Sequence, residues 1–166
     1  MFYRVHQFYR AVFTNIQPAD LDWALNYLSS KSARLFLGQS PAEQRHAIDV
    51  AKSIAEANHS LTPQEFQTLM IAALLHDCGK SLAALRLWER VYIVLIHKAP
   101  PRVYARLEKG HSLFSRPLKI NSRHALWGAG LAKRAGLNSD ICLLIREHHN
   151  PSSKLGFILE QADNTH

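Results

Sequence analysis

Apolar positions along this chain recur at three- and four-residue intervals, and no stretch of any length alternates with the period of two that marks a strand. From Asp20 to Ser30, Leu21, Ala24, Leu25 and Leu28 share one helical face. Ser40-Pro41-Ala42-Glu43 reads as a helix start, with a capping serine, a proline in the first turn and a glutamate placed to close a capping box. The helix that follows turns Ala47, Val50, Ala51, Ile54 and Ala55 inward. Thr62-Pro63-Gln64-Glu65 repeats the same signal and opens a helix carrying Phe66, Leu69, Met70, Ala73 and Leu74, with Gly79 expected to end it in a left-handed conformation. Residues 82–109 read as one or two helices broken at Pro100-Pro101 and apolar over more than one face. Lys109 to Ser122 reads as a long basic loop, of the length at which lids occur. A helix from Asn121 or Ser122 then carries His124, Trp127, Gly128, Leu131 and Ala132, ended by Gly136. The next, from Asn138, carries Ile141, Leu144, Ile145 and His148, and the last carries Leu155, Ile158, Leu159 and Ala162. This pattern predicts an all-α, compact single-domain bundle of about seven to eight helices. Residues 1–39 are expected to form an aromatic and basic arm with a helix packed on the domain, and residues 40–166 the domain itself.

Composition narrows the class. Hydrophobic residues at 47% and charged residues at 20% of 166 are globular values rather than those of a disordered chain. The formal charge of +7 favours anionic partners: nucleotides, phosphate esters, nucleic acid or a membrane surface. The excess reads as spread along the chain, since no block of five like charges occurs. The two cysteines, Cys78 and Cys142, lie in apolar segments without CxxC spacing or a secretory signal, so the expectation is reduced thiols and a cytoplasmic setting. No apolar run approaches the roughly 18 residues of a membrane span. Phe2, Tyr3, Phe8, Tyr9 and Phe13, with Arg4 and Arg10 between, are expected to pack as an N-terminal arm rather than to stack on nucleic acid.

Chemistry enters where polar residues interrupt the buried faces. These are His46, His76, Asp77, His124, His148 (with His149) and Asp163, drawn from five predicted helices. A lone histidine on an apolar face is ordinarily a satisfied core residue. Several imidazoles and two carboxylates on the inner faces of one small domain would instead repel or go unsatisfied without a cation. Such ligands suit Fe, Mn, Zn, Co or Ni rather than Ca or a thiolate-bound Zn.

The order His, His-Asp, His, His, Asp, with the doublet written His76-Asp77-Cys78-Gly79-Lys80, resembles the HD superfamily of metal-dependent phosphohydrolases in its HDIG-type variant. The resemblance covers roughly residues 40 to 166. It implies that His46, His76, Asp77 and Asp163 hold one divalent metal and that His124 and His148 hold a second, with Asp77 bridging. Fe or Mn leads among the ions, with Zn, Co, Ni or Mg also compatible. It further implies hydrolysis of a nucleotide or related phosphate ester by a metal-bound hydroxide, with Asp77 and Lys80 as catalytic residues and Lys80 on a phosphate oxygen. His149, Arg45 and Arg146 are secondary candidates. The Gly-Tyr-Pro motif that follows the histidine pair in the cyclic-dinucleotide phosphodiesterases of that family is absent after His148-His149-Asn150-Pro151. The alternatives are a di-iron oxygenase of the same family and a non-catalytic metal-binding or sensory domain. The expected partner is a phosphorylated small molecule, with no membrane, nucleic acid disfavoured and a homodimer compatible.

Overall fold

The computed structural model describes residues 16–57, 60–83, 85–96 and 98–166. The aromatic arm expected at residues 1–15 lies outside the described residues. Among these residues the chain forms nine α-helices and no strand: α1 Pro18–Leu25, α2 Ser30–Leu37, α3 Pro41–Glu56, α4 Pro63–Leu75, α5 Leu87–Ile96, α6 Pro101–Lys109, α7 Ser115–Arg134, α8 Ser139–Glu147 and α9 Lys154–Thr165. A 3-10 turn, Cys78–Ala83, joins α4 to the segment before α5.

The capping boxes expected at Ser40 and Thr62 both form. Each hydroxyl accepts from the backbone of the glutamate three residues on, and each glutamate returns a bond to the cap's own N–H. Four helices open with proline at their first position, where the missing N–H costs nothing.

α4 is the central rod. Leu69, Met70, Ala72, Ala73, Leu74 and Leu75 are all fully buried, as expected of a helix that is apolar on every side. α3, α8 and α9 pack around it, and Phe36 from α2 and Ala24 from α1 enter the same core. Gln39 donates to the Leu74 carbonyl at 3.0 Å, satisfying one of the acceptors left bare at the end of α4.

Three sequence expectations change here. The single helix over Asp20–Ser30 is two short ones, because Ser29 caps a new helix with its hydroxyl on the Ser32 N–H. The long loop at Lys109–Ser122 shrinks to the few residues between α6 and α7. Pro117 sits in the first turn of α7, where it is a start signal rather than a breaker, and Leu118 and Ile120 behind it are buried at helical spacing.

The third concerns Gly79, which does not end α4 with positive φ. Among the described residues only Gly136 has that geometry, at φ 82° after α7. Gly79 is small because the 3-10 turn lies against the backbone of α7. A Cβ there would sit 1.9 Å from the His124 carbonyl oxygen and 2.6 Å from the Gly128 nitrogen. Gly128 answers from the other side, where a Cβ would meet Ile145 at 3.1 Å and the Gly79 nitrogen at 3.2 Å. Gly79→Ala should therefore destabilise by about 3 kcal/mol or more, since backbone, not a flexible side chain, must move. Gly130→Ala, on the same helix with no atom within 4 Å of its new methyl, should be neutral or stabilising by roughly 0.5 kcal/mol. Paired thermal denaturation of the two variants reads the difference directly.

Candidate metal centre

The approach of the turn to α7 brings five elements to one point. His46 comes from α3, His76 caps the C-terminus of α4, and Asp77 follows it in the turn. His124 lies in the middle of α7, His148 caps α8, and Asp163 comes from α9. His76, Asp77, His124 and His148 are all buried, at 3% exposure or less.

Three of the imidazoles are held alike. His76 Nδ1 donates to the Ala73 carbonyl at 2.8 Å, His124 Nδ1 to the Asn121 carbonyl at 2.6 Å, and His148 Nδ1 to the Ile145 carbonyl at 2.7 Å. A carbonyl only accepts, so the proton of each ring is committed to Nδ1. On a neutral imidazole that leaves Nε2 as a bare lone pair. These lone pairs converge. His124 Nε2 lies 3.3 Å from His148 Nε2 and 3.2 Å from Asp77 Oδ1. His148 Nε2 is 3.9 Å from the same oxygen. His76 Nε2 and Asp77 Oδ1 have no hydrogen-bond partner although both are buried. Acceptors facing acceptors have nothing to share but a cation, either a metal ion or, at His76 Nε2, a second ring proton.

The donor atoms form two groups, each with its ligand atoms within 4.8 Å of one another: His46, His76 and Asp163, and His124, His148 and His149. Asp163 Oδ1 lies 2.8 Å from His46 Nε2 and 3.6 Å from His76 Nε2. Asp77 stands between the groups, with Oδ2 3.6 Å from His76 Nε2 and Oδ1 toward His124 and His148. His149, exposed at the edge, brings Nε2 to 3.1 Å from His124 Nε2. The two adjacent histidines thus reach the same neighbourhood, His148 from inside and His149 from the solvent side. Borderline nitrogen donors with carboxylate oxygens fit a divalent transition metal.

Charge in the cluster follows from these neighbours. Burial opposes ionisation of Asp77, but Lys80 and His76 outweigh it and hold its carboxyl well below the usual range. Asp163 is lowered in the same way, burial opposing and His76 and His46 prevailing. Burial also opposes a charged His76, yet Asp77 and Asp163 push its pKa up to about 9. Burial, and then the His76 charge, push His148 down to about 2. Cys78, behind the doublet, is raised to about 12 by burial and then by Asp77, so it is an inert core thiol. Both cysteines are free.

A cleft of about 320 Å³ opens onto the cluster. His46, Asp77 and Lys80 line its floor side together with Arg45, Glu43 and Arg90. Lys80 Nζ donates to Asp77 Oδ2 at 2.5 Å. Arg45 is bound to Asp20 and Asp49, so its charge is already countered by two carboxylates. Arg146 is elsewhere: it pairs with Glu147 and borders a separate groove between α7 and α8. Sequence reasoning missed Arg90, which reaches from α5 to Glu43 at 2.9 Å on the rim of the cleft. The only signal for it was an Arg set among apolar residues in a segment whose two faces could not be told apart. It also missed His166, whose ring meets Ser53 on α3 and lines the same opening.

With this geometry in view, a comparison with protein families decides the relationship: the HD domain matches residues 44–166. The chain belongs to the HD domain family. Its members are metal-dependent phosphohydrolase-type domains, and the all-helical bundle with a histidine and aspartate cluster is in keeping with that membership. Neither a curated protein nor a solved structure matches the chain. Among the described residues, no single helix is long and apolar enough to cross a membrane.

Three shifted histidines, His76, His148 and His149, give a pH dependence with a definite sign. An unfolded imidazole titrates near 6.5. Below that pH the unfolded chain takes protons that folded His148 and His149 refuse, the latter lowered to about 4 by burial and then by His124, so stability falls as pH drops. Above it His76 keeps a proton the unfolded chain has released, so stability is lost as pH rises toward about 9. Chelator-treated protein should be most stable near pH 6.5, the alkaline flank falling by at most about 1.4 kcal/mol per pH unit and the acid flank, with two imidazoles, by at most about twice that. Urea titrations across that range test it, and stability rising steadily through pH 8 would show His76 unprotonated.

Proposed function

We propose that this HD domain hydrolyses a small phosphate ester, a nucleotide or a relative of one, at a site for two divalent cations. The observation that carries the reading is the meeting of His124 Nε2, His148 Nε2 and Asp77 Oδ1 as mutual acceptors, beside a second group built on His46, His76 and Asp163. His46, His76 and Asp163 would hold one ion, and His124 and His148, with His149 at the open edge, the other. Asp77, standing between the two groups, would serve both. Bound cations supply Lewis acidity toward phosphate oxygens and an acidified water as nucleophile.

The chain's own residues supply the rest. The backbone carbonyls of Ala73, Asn121 and Ile145 fix three imidazoles in the tautomer that points Nε2 inward, so the ligands need no reorganisation. Lys80, on the cleft wall beside Asp77, is placed to meet a phosphate oxygen and to balance charge as it develops there. Arg90 brings a second cation to the rim. The cleft volume, about 320 Å³, is at the small end of ligand pockets and favours a mononucleotide-sized molecule over a polymer.

The test is phosphate release from a nucleotide panel with Mn, Co or Fe, with metal content measured on the same samples. Wild-type protein should retain two ions per chain. Asp77→Ala should lose metal and lower turnover by at least ~100-fold. Lys80→Ala should keep its metal and lose turnover. An Asp77→Ala protein with metal and activity intact would sink the reading. Dioxygen consumption by iron-loaded protein in place of phosphate release would identify the oxygenase chemistry instead.

A further inference from the structure

The positive charge forms no block of five like residues, but it is not evenly distributed along the chain. Residues 86–119 hold eight Lys and Arg against two Glu, so a net six of the chain's seven excess charges fall in this one segment. The same segment carries the molecule's densest set of exposed apolar side chains among the described residues. Trp88, Val91 and Leu95 follow one another along one face of α5, with Leu95 60% exposed. Leu113 and Phe114, just before α7, are 75% and 53% exposed. Phe114 joins the two elements, its ring 6.3 Å from Trp88 and 5.5 Å from Tyr92.

α6 completes the surface. None of its residues is buried. Tyr104 and Glu108 turn toward α7, where they meet Asn121 and Ser122. Arg102, Arg106 and Lys109 fall at helical spacing on the side away from it, all exposed, between exposed Lys98 and exposed His111. A cationic stripe therefore runs beside an apolar ridge that contains a tryptophan and a phenylalanine.

We propose that this surface docks the protein on an anionic phospholipid bilayer. An amphipathic helix with a basic polar side and aromatic and leucine residues next to it lies in a bilayer interface, its apolar side chains among the acyl boundary and its cations at the headgroups. A second copy is disfavoured by charge, since two such faces would bring like charges together. The N-terminal segment, with Arg4 and Arg10 and no acidic residue before Asp20, is disfavoured for the same reason. Nucleic acid would use the stripe but leave Leu95 and Leu113 in water. No spanning helix is needed for a surface contact, so the sequence-based exclusion of a membrane does not apply to it. α5 ties this surface to the cleft, because Arg90 and Val94 line the opening while Trp88, Val91 and Leu95 face outward.

The experiment is vesicle flotation of the metal-loaded full chain. It compares phosphatidylcholine vesicles with vesicles containing about one third phosphatidylglycerol, at low and near-physiological salt. Binding should be at least ~10-fold tighter to the anionic vesicles and should weaken with salt. Joint Arg102→Glu, Arg106→Glu and Lys109→Glu substitution should abolish it. Leu95→Ser with Leu113→Ser should weaken it by ~10-fold. Both variants should keep wild-type thermal midpoints and metal content, which separates lost docking from lost folding. Equal binding to both vesicle types, or none to either, overturns the proposal. So does a dimer in solution that the leucine substitutions dissociate, or oligonucleotide binding that depends on the cations alone.

Discussion

A carboxylate buried among imidazoles is the constraint around which this molecule is arranged. Asp77 has almost no contact with water, and an isolated ionised carboxylate in that position would cost several kcal/mol or more. Lys80 answers one oxygen directly, while the other faces only ring nitrogens whose protons are spent elsewhere. The site is therefore balanced for positive charge at its centre. Its high-pKa histidine, its depressed aspartates and its orphaned acceptors are one electrostatic fact seen from different residues.

Holding that arrangement takes backbone rather than side-chain packing. The turn carrying Asp77 reaches His124 only because Gly79 and Gly128 let two main chains touch. Each buried imidazole is locked by the carbonyl three residues before it, so helix geometry itself aims the rings. His76 and His148 sit at the C-terminal ends of α4 and α8, where the helix leaves such carbonyls unpaired. The core helix thus serves two ends: it buries apolar surface along its length and presents an imidazole to the cluster where its hydrogen bonding runs out.

α5 stands between the chemistry and the outside. One of its faces closes the cleft with Arg90, anchored to Glu43 in the capping box of α3. The opposite edge is apolar and exposed beside the cationic side of α6. A surface contact and a substrate opening on the same ten-residue helix would couple access to docking without any further element.

How far residues alone reached depended on whether the signal was local. Helical periodicity, the two capping boxes and the family of the chain were legible because each is written in neighbouring residues. So were the candidate ligands, since an imidazole on an apolar helical face breaks the pattern in plain view. The role of Gly79 was not legible: a left-handed cap and a close backbone approach use the same residue, and only the position of α7 distinguishes them. Lys109–Ser122 was read as a loop because the first turns of α7 are marked by the burial of Leu118 and Ile120, which depends on the rest of the fold. Arg45, beside His46, and Arg146, one turn before His149, both read as secondary candidates, yet packing sent one to a carboxylate pair and the other to a different groove. The sequence by itself determined which polar residues interrupt the buried faces and which faces are apolar, because those are local properties of side chains and helical period. Only the tertiary structure decided which lone pairs face one another and which of the basic side chains share one surface with the exposed apolar ridge, because both depend on how the helices pack.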